Sequence, residues 1–192
     1  MAGKNASNPK SPRFKEFIRR KFLSFPLWET KADGKKVLDL GCGWGFYFKI
    51  NPDAYGIDFD EHCVRYLKNQ KYKAVKGDIR KRLPFKSNFF RKVIAHDVLE
   101  HFELNDVKKI FLEVSRILEK NGLFLILIPN QKGYNLGLKS NVGHKHFITF
   151  KEILNIAKKK FILEKHFFSP LPKIIGDYFN HNKELIILKK TK

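Results

Sequence analysis

With 192 residues, 43% of them hydrophobic, the chain can bury one core and is too short for two full domains. No apolar run reaches the roughly 20 residues of a membrane-spanning helix, the polar start has no secretory pattern, and Cys42 and Cys63 match no metal or redox spacing. A cytoplasmic location is therefore expected. Lys and Arg number 39 against 19 acids, a formal charge of +20, which fits either lysines that merely solvate the surface or an anionic partner: RNA, a lipid headgroup or a phosphorylated metabolite.

Residues 1–12, rich in Asn, Ser, Pro and Lys, read as a disordered basic tail ahead of a single domain over 13–192. Apolar residues at 14, 17, 18, 22 and 25 are spaced for a helix, with Arg19, Arg20 and Lys21 on its other side. Asp33-Gly34 makes a turn. Strands are predicted at 36–40, 54–57 and 72–75, with a helix at 61–69 between the second and third. A fourth strand at 91–95 leads to a long amphipathic helix at 104–118, which Asn121-Gly122 is placed to stop. The fifth strand, 123–128, precedes a polar loop at 131–146 and a helix at 150–159. Two last strands at 161–167 and 184–189 flank an insertion at 169–182, whose apolar residues suit a substrate lid, an oligomer contact or a membrane-touching loop. Strands alternating with helices imply a parallel sheet covered on both faces. The last two strands have no helix between them and are expected to pair antiparallel.

Val37-Leu38-Asp39-Leu40-Gly41-Cys42-Gly43-Trp44-Gly45 is the most informative stretch. An apolar strand running into close-set glycines lets backbone pass a ligand without interference from Cβ atoms. Dinucleotide spacing, G-x-G-x-x-G, fails: counting from Gly41 puts Phe46 at the third glycine, and counting from Gly43 puts Phe48 there. The Gly-Lys-Ser/Thr ending of a P-loop is also missing. What remains, acid-x-Gly-x-Gly-x-Gly, resembles the class I S-adenosyl-L-methionine (SAM)-dependent methyltransferases, and among them the methyltransferase type 11 group with small-molecule, lipid and polysaccharide substrates. The likeness runs from about Lys36 to Lys190.

The resemblance implies a Rossmann-like three-layer α/β sandwich, its seven-stranded sheet mostly parallel with an antiparallel last strand. It implies SAM as cofactor and S-adenosyl-L-homocysteine as product. Under it, Gly41, Gly43 and Gly45 lie beside the methionine part of SAM and Asp39 helps hold the amino-acid end. Asp58 closes the second strand nineteen residues after Asp39 and takes the ribose hydroxyls. Phe59 lies against one face of the adenine. Gly77-Asp78-Ile79 matches the adenine-edge segment, with Asp78 toward the exocyclic amine and Ile79 on the other face. His96, leaving the fourth strand, joins the cofactor-binding set.

In-line methyl transfer from a sulfonium asks the protein mainly to align nucleophile, carbon and sulfur. A hydroxyl nucleophile also wants a base with a near-neutral pKa, which suits histidine. His96 and His101 follow the fourth strand, and His144 and His146 the fifth; the resemblance favours His146, in Gly-His-x-His-Phe-x-Thr. Each histidine is a candidate for catalysis and equally for capping or packing. Asp97-x-x-Glu100-His101 resembles the Glu-x-x-Glu-His of metal-assisted O-methyltransferases, and on one helix face these side chains could meet a divalent cation. Asp for the first Glu departs from that pattern, and no metal is expected.

The leading expectation for the acceptor is an anionic small molecule, sugar or lipid-linked compound. RNA is the alternative, and a non-catalytic SAM-binding protein a third reading. A functional charge surplus should gather at the mouth of the site, on Arg19, Arg20, Lys21, the loop 132–145 and Lys173. A merely solvating one should sit on outward helix faces, as at Lys108, Lys109 and Lys158.

Overall fold

The computed structural model describes residues 36–130, Asn135, 146–169 and 183–191. The predicted tail, the helix at 14–25, the Asp33-Gly34 turn, His144, most of the loop at 131–146 and nearly all of the insertion lie outside the described residues, and with them the basic rim at Arg19, Arg20, Lys21, 132–145 and Lys173.

Seven strands form one sheet in the order β3-β2-β1-β4-β5-β7-β6. They are β1 (Val37–Leu40), β2 (Tyr55–Asp58), β3 (Lys73–Lys76), β4 (Phe90–His96), β5 (Leu118–Pro129), β6 (Phe161–Ser169) and β7 (Lys183–Lys190). The pairs β2–β3, β1–β2, β1–β4 and β4–β5 are parallel. β7 runs antiparallel to both of its neighbours, β5 and β6. The sheet therefore has the expected architecture, with only the last strand reversed. Every residue of β1 is buried, as a strand flanked on both sides and covered on both faces requires.

Helices α1 (Glu61–Asn69), α2 (Leu104–Ile117) and α3 (Phe150–Ala157) cover the sheet. In α2 the apolar stripe Val107, Ile110, Phe111, Val114 and Ile117 repeats at helical spacing, and it packs with Ile153 and Ala157 of α3 in one core cluster over Val93, Phe124 and Ile126. On the opposite face, Val64 and Leu67 of α1 pack with Phe48, Ile94, Leu125 and Ile187. Helix starts are fixed locally. Asp60 accepts a hydrogen bond from the His62 N–H at the head of α1. Thr149 and Glu152 form a reciprocal capping box at the head of α3.

Most boundaries differ from the sequence expectation by one or two residues, and one differs by more. Asn121-Gly122 does not stop α2, which ends at Ile117, with Leu118 already pairing with Phe90 in the sheet. Asn121 instead takes a left-handed φ of 61° inside β5, where the ladder to β4 shifts register. A Cβ on Gly122 would sit 2.9 Å from the Glu119 carbonyl oxygen and 3.2 Å from that of Arg91, so the glycine serves close backbone approach.

From β1 the chain steps outward through β2 to β3, and β4 then returns to the other side of β1. The strand order reverses between β1 and β4, and in open parallel sheets the crevice that takes a ligand is found at such a reversal, outside the carboxyl ends of the strands. No helix among the described residues is long and apolar enough to cross a membrane.

Candidate active site

The turn that leaves β1 lies on this crevice. Gly41, Gly43 and Gly45 have φ of 67°, 46° and 81°, a run that side chains with a Cβ resist. Gly41 is pressed against the Val98 side chain, whose Cγ2 a Cβ would meet at 2.5 Å. Gly43 differs, since a Cβ there would have nothing within 4 Å. Gly45, like Gly41, is packed, a Cβ there meeting Leu67, so it is at Gly43 that the turn presents bare backbone to open space. Its start is tied to β2 by hydrogen bonds from the Gly41 and Cys42 N–H groups to the Ile57 carbonyl, 2.8 and 3.1 Å long.

Asp58 holds the same turn from the side. One carboxylate oxygen accepts the Gly43 N–H at 2.8 Å, and the other accepts the Asp60 N–H at 2.9 Å. Each oxygen keeps a further lone pair, so the carboxylate can still chelate a vicinal diol. Asp39 is buried one strand away, and burial, with the Asp58 charge adding to it, pushes its carboxyl up to about 8. At neutral pH this acid holds its proton. Phe59, just past Asp58, exposes 78% of its surface. Asp78 is gripped by Arg80, whose Nε and Nη2 donate to its two oxygens at 2.7–3.1 Å, and this pairing holds the carboxyl below its ordinary range. Ile79 is buried in the core beneath that segment.

These positions fit SAM. Bare glycine backbone beside open space suits its methionine moiety, Asp58 its ribose and the open face of Phe59 its adenine.

His96 ends β4, its ring edge-on to Phe46 of the glycine turn with centroids 5.9 Å apart. Burial pushes its imidazole down to about 4. An isolated histidine titrates near 6.5, so the folded chain refuses a proton that the unfolded chain accepts. His96 therefore contributes stability that is whole above pH 6.5 and is lost as pH falls from 6.5 toward 4. Asp97 follows in a left-handed conformation, φ 52°, held to β5 by its N–H on the Leu127 carbonyl. Lys183, the first residue of β7, forms an ion pair with Asp97 and lies 3.4 Å from His96 Nε2. Its ammonium is one of the causes of the low His96 value, and Lys183→Met is expected to raise the His96 midpoint. Imidazole proton shifts in an NMR titration would report it; an unmoved midpoint would mean that the lysine does not face the ring.

The shared helix face assumed for Asp97, Glu100 and His101 does not form. Leu99–His101 is a single 3₁₀ turn, and left-handed Asp97 stands outside it, paired with Lys183. Among the described residues no group of three or more His, Cys, Asp or Glu side chains is arranged to hold a metal ion. Glu100 is buried, and burial together with the Asp97 charge pushes its carboxyl up to about 8. The structure brings the glycine turn, Asp39, Asp58 and His96 together and keeps His146 with α3: its Nε2 lies 3.1 Å from Glu152, and its N–H reaches the Glu100 carbonyl at 3.4 Å. His101 closes the 3₁₀ turn. Sequence reading missed Lys183. The signal was available, since a last strand that runs antiparallel must begin at the carboxyl ends of the others; Lys183 is opposite Pro129 in the register.

A methyltransferase-domain family model matches residues 38–126. An uncharacterized protein of Methanocaldococcus jannaschii is 33% identical over 129 residues, covering 67% of this chain and 49% of its own length. A tRNA (carboxymethyluridine(34)-5-O)-methyltransferase of Schizosaccharomyces pombe is 31% identical over 147 residues, covering 72% of this chain and 60% of its own. The chain thus spans about half the length of the first of these relatives. A SAM-dependent methyltransferase from Archaeoglobus fulgidus shares the fold, with a TM-score of 0.72 at 16% identity, covering 92% of this chain and all of that one.

Proposed function

Because the chain belongs to the class I SAM-dependent methyltransferases, we propose that it transfers the methyl group of SAM to an RNA acceptor. SAM supplies an activated methyl on a sulfonium. The turn Gly41–Gly45, Asp39 and Asp58 would hold its amino-acid and ribose parts; Phe59, Asp78 and Ile79 its adenine; and His96 would border the reacting end. The chain's own work is alignment at the crevice, with Asp39 giving up its proton as the cation arrives. His96, neutral through burial, would orient and exclude water rather than carry charge. Residues 13–192 would act as one catalytic domain behind a basic tail.

The observation that carries the RNA reading over a small anionic acceptor is the charge of +20. A phosphate chain rewards a broad basic surface, whereas one small anion needs only a few cations. The segment leaving the carboxyl end of β3 supports it, with Lys81, Arg82 and Lys86 exposed beside the adenine-side residues. The tRNA specificity in the name of the Schizosaccharomyces pombe relative agrees with it.

The test combines binding and transfer. Affinity for tRNA should fall steeply with salt, the logarithmic slope reporting the phosphates neutralised. Label from methyl-tritiated SAM should enter the RNA fraction of a cell extract. Label confined to small metabolites or lipids, with salt-independent RNA binding, would return the acceptor to the anionic small-molecule class.

A further inference from the structure

The glycine turn also carries an exposed aromatic side chain. Trp44 stands between Gly43 and Gly45 and exposes 64% of its surface, while Tyr66 on the outer side of α1 exposes 47%. The two rings pack edge to face with centroids 5.5 Å apart and planes at 72°. Each steadies the other, yet broad aromatic faces stay in solvent. The turn beneath Trp44 is pinned by the Gly43 N–H on Asp58 and the Gly45 N–H on the Cys42 carbonyl. Cys63, Val64 and Leu67 anchor α1 from its buried side. Two large rings held in water on a fixed mount, on a chain of charge +20, meet the two demands of single-stranded nucleic-acid binding: π-faces for bases and cations for phosphates.

Resting on the RNA reading above, we propose that Trp44 and Tyr66 form a stacking platform for an unpaired base of the RNA acceptor. Lys68, exposed on the same helix, meets an adjoining phosphate, and Arg65, held 3.3 Å from Glu61 in an exposed pair, exchanges that partner for another. Stacking is indifferent to base identity, because every base has a π-face, so the platform grips a strand without reading it. Its position on the cofactor turn sets its purpose. A nucleotide parked on Trp44 holds the strand at the rim of the crevice, leaving a neighbouring nucleotide free to enter it.

Trp28 and Trp44 are the chain's two tryptophans, so in the Trp28→Phe protein the indole emission belongs to Trp44. An unstructured oligoribonucleotide of about ten nucleotides should quench that emission saturably. In the otherwise natural chain, Trp44→Leu and Tyr66→Leu should each weaken binding of a labelled oligonucleotide about tenfold, read by anisotropy. The salt slope should stay unchanged, and Trp44→Phe should restore most of the affinity. Tyr66→Leu should leave SAM affinity as it was. Salt-dependent RNA binding that ignores both substitutions and leaves the indole unquenched overturns the platform while sparing the RNA reading. No RNA binding by any form overturns both. Quenching by anionic phospholipid vesicles without quenching by RNA assigns the pair to a membrane surface, and overturns the platform as well.

Discussion

Asp58→Ala is expected to weaken SAM binding by about 1–3 kcal/mol, or roughly 5- to 150-fold in Kd. Two losses combine. The proposed charge-assisted contact to the ribose hydroxyls would disappear, and with it the acceptors for the Gly43 and Asp60 N–H groups. Asp58→Asn separates them, because it keeps the size and one acceptor oxygen while removing the charge. It should fall between the natural protein and the alanine variant in calorimetry. Unchanged affinity in both variants would take Asp58 out of the cofactor site.

Gly41→Ala and Gly43→Ala should fail in opposite ways. At Gly41 the left-handed φ alone costs a side chain about 1–2 kcal/mol. The new methyl also meets Val98 Cγ2 at 2.5 Å and its Cβ at 3.2 Å, and a β-branched side chain cannot swing its Cβ aside. With overpacking of about 1–3 kcal/mol added, the melting temperature should drop by roughly 5–15 °C. At Gly43 nothing opposes the methyl, so stability should fall only by the backbone cost. That methyl enters the space in which the methionine part of SAM would lie, and the Kd for SAM should rise on the order of tenfold. Melting curves and calorimetry on both variants decide the matter. If Gly43→Ala leaves SAM affinity alone, the ligand does not cross the turn at that point.

Local pattern carried most of the fold. The apolar runs of the strands and the stripe of the helix at 104–118 lie within a few residues of the elements found, and α1 matches residue for residue. The glycine turn was legible because positive φ leaves a chemical trace in the sequence, and the acids at the ends of β1 and β2 because strand ends are where a parallel sheet meets ligands. Asn121-Gly122 was misread because its glycine answers to close backbone packing, the Glu119 carbonyl of its own strand and the Arg91 carbonyl of the neighbouring one, and not to a helix end. A helical spacing was assumed for Asp97, Glu100 and His101 where a left-handed residue and a 3₁₀ turn break it. Lys183 was invisible to local reasoning: its partner Asp97 is 86 positions earlier, brought near only by the reversal of β7.

The interior position of β7 bears on how the chain is made. β6 reaches the sheet only through β7, which follows it in sequence. During synthesis β6 therefore leaves the ribosome before the one strand that can receive it, with Ile162, Leu163 and Phe167 on an unpaired edge. β5 waits as well, its second ladder open until β7 slides in between. An open edge of this kind recruits strands from other nascent chains. Slow decoding between the codons for residues 169 and 183 would prolong that exposure, and chaperones that shield apolar edges would matter most during that interval.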